Sequence, residues 1–484
     1  MCPAQVMGEL NVNRGDLLQL RVQSFALEGR SVARVDGMVI FVHGAVPGDE
    51  ARVRLTKVKK QFAEAEAVEI ITPSLSRTEP RCHYFGTCGG CTWQHVQYQV
   101  QADFKRQHVV DALERIGGFP DVPVHPTLGA RDTYFYRNKM EFSFGDKWLT
   151  RQELEERNAR VASEGEHERF ALGLHIPGRF DKVLDIEECW LQSELSFNIV
   201  NEVRSFCLDR QLPVYSTSTH MGYLRNLSIR ESRHTREIMV NLVTRDDQPE
   251  TMQSFAANLL EKFPAITTIV NNIVERNSQV AIGEKERIYH GPGFITERIG
   301  NKVFRISANS FFQTHTLQAE RLYETARNMA GLKREDVVFD LYSGTGTISL
   351  FVADDVAQVV GIESVESSIE DAKQNAARNG VQNCTFILGE LKEKLTNDTG
   401  WLAGFPHPNV IITDPPRTGM HAKVVKRILD LHPERIVYVS CNPSTQARDL
   451  KLLCESSEYR IREVQPVDMF PHTSHVETVV ALGR

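Results

Sequence analysis

Four short stretches of the chain hold residue types able to do chemistry. Ser440-Cys441-Asn442-Pro443 puts a thiol directly after the apolar run Ile436-Val437-Tyr438-Val439. A thiol there is a candidate nucleophile, and a lowered pKa would help it act as one. His475-Val476-Glu477-Thr478 offers a carboxylate, Glu477, as a general base. Asp414-Pro415-Pro416-Arg417 follows the apolar run Val410-Ile411-Ile412. Two prolines cannot continue a strand, so they hold a rigid loop. Asp340-Leu341-Tyr342-Ser343-Gly344-Thr345-Gly346-Thr347 follows Val337-Val338-Phe339, and its glycines let the backbone turn tightly and approach a ligand. Glu363, 17 residues beyond Gly346, ends the next apolar run, where an acid can accept hydrogen bonds from both ribose hydroxyls. A dinucleotide fingerprint would need glycine at position 349; this chain has Ser349, which argues against NAD.

The cysteines suggest a second chemistry. There are nine, at positions 2, 82, 88, 91, 189, 207, 384, 441 and 454. An odd number in a long, apparently cytoplasmic chain argues against a disulfide framework. Cys82, Cys88 and Cys91 crowd one loop with Gly86, Gly89 and Gly90, which let it fold back. Three thiolates from one loop hold three corners of a tetrahedron, and a fourth must come from afar. Cys189, in Glu188-Cys189-Trp190, is the best candidate. Three local cysteines with one remote suit a [4Fe-4S] cluster better than zinc, which more often takes two pairs. Cys207, Cys384 and Cys454 read as small buried hydrophobes.

These residues need elements to position them. From 303 to 484, apolar strand candidates alternate with helical stretches: Val337-Val338-Phe339, Val359 to Ile362, Cys384 to Ile387, Val410 to Ile412 and Ile436 to Val439, with Thr478 to Leu482 last. That alternation predicts a Rossmann-like parallel sheet covered by helices. Strand ends in such sheets face the ligand crevice, so the glycine loop, Asp414 and Cys441 should share one rim. At the other end, residues 14–73 alternate in short runs, such as Leu18 to Val22 and Met38 to Val42, punctuated by glycines. They predict a small β-barrel. Arg52, Arg54, Lys57, Lys59 and Lys60 lie together with no acid between Arg52 and Gln61, as a phosphate-facing edge or a solvated one. Residues 74–302 read as α+β, with the cysteine loop near their start. Over 95–117, Val96, Val100, Phe104, Val110 and Leu113 recur at near-helical spacing until Gly117-Gly118, and this helix should pack on the C-terminal domain. Thr150 to Arg169 is crowded with Arg and Glu and reads as an exposed insertion.

The chain of 484 residues thus reads as an α/β multidomain protein. Its formal net charge of -7 makes it no globally basic nucleic-acid binder, so any RNA surface must be local. No apolar run reaches the length of a membrane span, and a cytoplasmic monomer is expected.

Taken together, Phe311-Phe312-Gln313, Asp340 to Gly346, Asp414 to Arg417, Ser440 to Pro443 and Glu477 resemble the RNA (uracil-5-)methyltransferase family. The barrel resembles a TRAM domain. With the cysteine cluster, it resembles the bacterial 23S rRNA uridine branch; the tRNA-directed branch typically lacks both. The resemblance implies a class I fold, S-adenosylmethionine as cofactor and RNA, not DNA, as partner. It implies Cys441 as nucleophile, Glu477 as base, and cofactor contacts at Gln313, Tyr342, Thr347, Glu363, Glu390 and Asp414. It also implies a [4Fe-4S] cluster on Cys82, Cys88, Cys91 and Cys189. The chemistry is coherent: uracil carbon 5 is a poor nucleophile until a thiolate adds to carbon 6 and makes an enolate. Two alternatives stand beside this reading: a tRNA uridine methyltransferase, and an inactive RNA-binding scaffold.

Overall fold

The computed structural model describes residues 12–26, 29–148, 170–276, 283–396, 400–455 and 458–484. The expected insertion Thr150 to Arg169 lies outside them. Runs rich in Val and Ile form a seven-stranded C-terminal sheet. Its order is Cys384–Leu388, Gln358–Glu363, Val337–Leu341, Val410–Thr413, Arg435–Ser440, Glu477–Gly483 and Arg460–Val467. The first five strands are parallel. Glu477–Gly483 is inserted antiparallel between the last parallel strand and Arg460–Val467. Val337–Leu341 and Val410–Thr413 are buried at every position, because helices cover both faces. One face packs Thr316–Ala330, Thr347–Val352 and Glu366–Arg378. The other packs Ala422–Leu431, Pro443–Glu455 and the distant helix Tyr98–Ala112. The strand order reverses between Val337–Leu341 and Val410–Thr413, which is where doubly wound sheets open a ligand crevice.

The apolar pattern predicts no strand at Arg460–Val467, yet one is present. Charges at Arg460, Arg462 and Glu463 break its apolar pattern, as suits a strand with one edge uncovered by the sheet. A hairpin of Phe294–Ile299 and Lys302–Ser307 spans the expected boundary at 302 and 303, and Ile295, Ile299, Phe304 and Ile306 all enter the C-terminal core.

A second seven-stranded sheet occupies the middle of the chain, in the order Lys285–His290, Thr268–Ile273, Ile238–Thr244, Leu224–Glu231, Lys139–Asp146, Phe170–Ile176 and Arg179–Asp185. Glu194–Asp209 and Pro249–Lys262 cover it. The N-terminal six-stranded sheet curls around its own core of Leu20, Ile40, Val42, Val53 and Leu55. Its basic run does not form a bare cationic edge. Phe62–Thr72 pairs with Glu50–Val58 and sets Glu69 opposite Arg52, Glu66 opposite Arg54 and Glu64 opposite Lys57. Arg52 and Lys57 each close an ion pair of 2.9 Å on that strand.

The helix expected over 95–117 runs from Tyr98 to Ala112, continues as a wider turn to Gly117 and ends on Gly118 at φ 76°. Its buried face differs from the expected apolar stripe: it includes Gln101, Lys105 and His108. Among the described residues, no helix is long and apolar enough to cross a membrane.

One carboxylate ties the curled sheet to the segment that leaves it. Asp49 is fully buried and accepts from Val46 N at 2.7 Å, Ser74 N at 2.7 Å and Arg77 Nη2 at 2.6 Å. Asp49→Ala strips these donors of their acceptor and should cost about 2–3 kcal/mol of stability, read as an earlier urea-unfolding midpoint.

Candidate active site

The turn after Arg435–Ser440 is fixed by its own side chains. Asn442 N donates to Ser440 Oγ at 3.1 Å, and Ser444 N donates to Asn442 Oδ1 at 3.0 Å. Pro443 opens the following helix, where its missing N–H costs nothing. Asn442 Nδ2 also donates to Arg417 O at 3.0 Å, which ties this turn to the Asp414 to Arg417 loop. Cys441 therefore stands at the rim beside that loop.

Glu477 reaches the same place through antiparallel pairing. Ser440 pairs with Thr478, and Val467 pairs with Glu477 itself. The residue before Thr478 thus lies against the residue after Ser440. Buried Gln446 staples the two strands, donating through Nε2 to Tyr438 O at 2.9 Å and Thr478 O at 3.1 Å.

Electrostatics couple the group. Burial pushes the Cys441 thiol up to about 11, and the charges of Glu477 and Asp414 add to that; Arg417 pulls it back, by charge and by hydrogen bond. A lowered pKa, which would help this thiol act as a nucleophile, is therefore not what the protein alone provides. Glu477 is 5% exposed, and burial followed by Asp414 raises its carboxyl above the usual range while Arg417 lowers it. Asp414 is raised by burial and by Asp340. Like charges in a low-dielectric site cannot all ionise together.

Of the residues expected to contact a cofactor, Tyr342, Thr347, Glu363 and Glu390 lie in or beside the glycine loop. Tyr342 at φ 65°, Gly344 at 54° and Gly346 at 77° put three left-handed residues within five positions. A Cβ on Gly346 would lie 2.9 Å from Phe386 Cζ, so glycine is required there. Glu363 is held by backbone donors: Gly344 N at 3.1 Å on one oxygen, Ser364 N at 2.7 Å and Val365 N at 2.9 Å on the other. Burial raises the Tyr342 phenol to about 12, and the charges of Asp449, Glu390 and Glu363 add to it, so both expected acids lie near this ring. Glu390 is exposed. Tyr323 OH donates to Thr347 Oγ1 at 3.2 Å and feels the charges of Asp414, Asp340 and Glu477. Gln313 is buried ahead of helix Thr316–Ala330, its carbonyl accepting from Asn138 Nδ2 at 2.8 Å.

Asp340 serves the loop from beneath. Ser349 Oγ donates to its Oδ2 at 2.5 Å, while Oδ1 is buried with no hydrogen-bond partner among the described residues. Burial raises this carboxyl to about 7. Ser349, at the position where a dinucleotide fold would need glycine, thus locks the loop instead.

Sequence reasoning passed over Arg417, Gln446 and Tyr323. Arg417 was legible as part of its proline loop. Nothing in the sequence marks Gln446, whose role depends on two strands paired across the sheet, or Tyr323, whose role depends on where its helix packs.

Away from this rim, Cys82, Cys88, Cys91 and Cys189 line one cavity with Phe85, Leu174 and Ile186. Burial raises Cys91 to about 12, and the other three cysteines push it further up. The same causes raise Cys189 to about 11, with Cys88 and Cys82 contributing. Burial raises all four thiols, so they resist ionising together without a cation beside them. Among the described residues, no three His, Cys, Asp or Glu side chains are gathered to hold a single metal ion. What the four thiols share is the cavity.

The model of the tRNA (uracil-5-)-methyltransferase family matches residues 231–484, and that of the TRAM domain matches residues 12–68. The chain belongs to the uracil-5-methyltransferase family. It is 43% identical to an uncharacterised RNA methyltransferase of Chlorobaculum tepidum over 480 residues, covering 98% of each chain. It is also 43% identical to one of Porphyromonas gingivalis, covering 96% of this chain and 99% of that one. The crystal structure of Pyrococcus abyssi tRNA (uracil-54, C5)-methyltransferase in complex with S-adenosyl-L-homocysteine superposes with a TM-score of 0.72 at 30% identity. That match covers 96% of this chain and 99% of that one. A tRNA-directed family member thus aligns along nearly the whole chain, so architecture at this level does not separate rRNA-directed from tRNA-directed members.

Cys441 should be sluggish toward iodoacetamide at neutral pH, and its alkylation should quicken as pH rises toward 11. Glu477→Gln removes a negative charge and should speed that alkylation at pH 8. Arg417→Gln removes the positive one and should slow it. Peptide mass spectrometry reads both.

Proposed function

We propose that the protein transfers a methyl group from S-adenosyl-L-methionine to carbon 5 of a uridine in RNA, through a covalent adduct of Cys441 with carbon 6. The observation that carries this reading is the pairing of Ser440 with Thr478, which sets a thiol and a buried carboxylate side by side at the cofactor rim. S-Adenosyl-L-methionine, when bound, supplies an electrophilic methyl on a sulfonium. Gln313, Tyr342, Thr347, Glu363, Glu390 and Asp414 are its proposed contacts, and Asp340 with its unpartnered oxygen supports the loop beneath.

Arg417 favours the Cys441 thiolate by charge and hydrogen bond. The thiolate adds to carbon 6, and the electron pair moves toward the carbon 4 oxygen. Carbon 5 takes the methyl as the methyl's bond to the sulfonium sulfur breaks, the electron pair staying on sulfur and the thioether being the leaving group. Glu477 then removes the carbon 5 proton, the carbon 5–carbon 6 double bond reforms, and Cys441 leaves as thiolate. A carboxyl with raised pKa holds that proton well.

The substrate read from the sequence is 23S rRNA. The second reading is tRNA, the substrate named for the similar Pyrococcus abyssi enzyme. The domains proposed for this work are a barrel over 14–73 for RNA, a middle over 74–302 and a methyltransferase over 303–484, whose core also takes in the hairpin strand Phe294–Ile299. Cys82, Cys88, Cys91 and Cys189 are the proposed ligands of a [4Fe-4S] cluster, and their shared cavity supports this. Such a cluster would order the loop between Cys82 and Cys91.

Three measurements test this reading. Cys441→Ala should lose methylation by at least roughly a hundredfold and form no RNA conjugate. Glu477→Gln should add and methylate, then stall as a protein–RNA conjugate visible on a denaturing gel; normal turnover would assign the base elsewhere. Mapping 5-methyluridine in rRNA and tRNA from cells with and without the protein decides the substrate. For the cysteines, anaerobically purified protein should carry about four irons per chain, and Cys189→Ser should lose them. Stoichiometric zinc without iron would refute the cluster.

A further inference from the structure

Helix Tyr98–Ala112 turns a polar face inward, with Gln101 and Lys105 fully buried. Buried polar side chains are costly unless hydrogen-bonded, so where their bonds go is informative. Most go to one distant turn, Asp468 to His475. Lys105 Nζ lies 2.5 Å from Asp468 Oδ1 and donates to Phe470 O at 3.0 Å. Gln101 accepts from His472 N at 2.9 Å and donates to His472 Nδ1 at 3.2 Å, and also to Trp93 O and Val96 O within its own segment. Other segments grip the same turn. Tyr136 OH donates to Pro471 O at 3.2 Å. Thr92 N and Trp93 N, directly after Cys91, both donate to His472 O at 2.9 Å.

Three successive carbonyls, of Phe470, Pro471 and His472, are therefore each held by a different part of the chain. His472 itself sits at φ 66°. A residue with a side chain keeps that conformation only where its surroundings enforce it. Five residues further on is Glu477. A buried Lys–Asp pair is a weak source of stability, since well-packed apolar residues of like volume often serve as well. What such a pair supplies here is one fixed geometry for the turn.

We propose that Gln101, Lys105 and Tyr136 are positioning residues for Glu477: they clamp the Asp468 to His475 turn so that the carboxylate enters its strand in register with carbon 5 of the bound uridine. This rests on the reading of Glu477 as the base. It separates the base from the nucleophile, because the clamp's hydrogen bonds reach the turn that leads into the strand of Glu477, and among the described residues none of them reaches the turn of Cys441. The clamp variants should therefore slow proton removal while leaving adduct formation and methyl transfer intact.

The test is single-turnover methylation of an unmodified 23S rRNA or tRNA transcript, whichever the parent protein methylates, with labelled methyl donor. Gln101→Met keeps side-chain length but loses the hydrogen bonds. Tyr136→Phe removes one hydroxyl and leaves its ring on His315, 4.6 Å away, so it should fold even if the first variant does not. Methyl should enter the protein–RNA conjugate within about twofold of the parental rate, while the conjugate resolves roughly tenfold more slowly or worse. Resolution at the parental rate in the folded variants overturns the inference. So does a parallel fall of methyl transfer and resolution that tracks lost thermal stability. Glu477→Gln, run alongside, separates the two failures. If it resolves normally, the base assignment is wrong and the clamp falls with it. If it stalls while the clamp variants do not, only the clamp is wrong.

Discussion

The antiparallel insertion of Glu477–Gly483 beside Arg435–Ser440 is the constraint on which the rest depends. A purely parallel sheet would send the start of its last strand to the opposite edge from Cys441. Reversing that strand brings its first residue to the rim where the parallel strands end. The register then leaves no freedom: a slip of one residue would turn Glu477 to the other face of the sheet. Gln446 guards against such a slip by bonding carbonyls of both strands at once.

The same closeness has an electrostatic cost. Asp340, Asp414 and Glu477 all have raised carboxyl pKa values, and burial is the first cause for each. Burial, Glu477 and Asp414 also raise the Cys441 thiol. Arg417 is the cation that acts on both members of the pair, and it belongs to the rigid proline loop. The site is thus organised so that a change of charge at the rim, such as a cation docking beside the carboxylates, moves the thiol toward its reactive form. A resting thiol held in check is less exposed to oxidation, which also tracks thiolate character.

The N-terminal parts reach the site only through contacts made in three dimensions. The cysteine segment bonds to His472, and the helix after it bonds to Asp468, some 370 residues along the chain. In the curled sheet, basic side chains that cluster in the sequence face glutamates on the next strand. A run of one sign in the sequence is not a field of one sign in the fold.

Legibility depended on range. The C-terminal strands announced themselves because buried parallel strands are continuous apolar runs, and the glycine loop because a backbone at positive φ demands glycine at Gly346. Cys441, Asp414 and Glu363 could be placed on one rim because each directly succeeds or ends a parallel strand. The sequence by itself therefore determined the parallel strands, the rim and the residue types able to do chemistry there. Tertiary structure decided what those groups are like. The strand Arg460–Val467 escaped notice because its charges break the apolar pattern, yet it fixes one side of Glu477. The polar inner face of Tyr98–Ala112 carries no local mark of burial, because only the distant turn shows what Gln101 and Lys105 bind. The thiol's pKa is raised by burial and neighbouring charge, which are sums over the folded molecule that no local stretch of sequence contains.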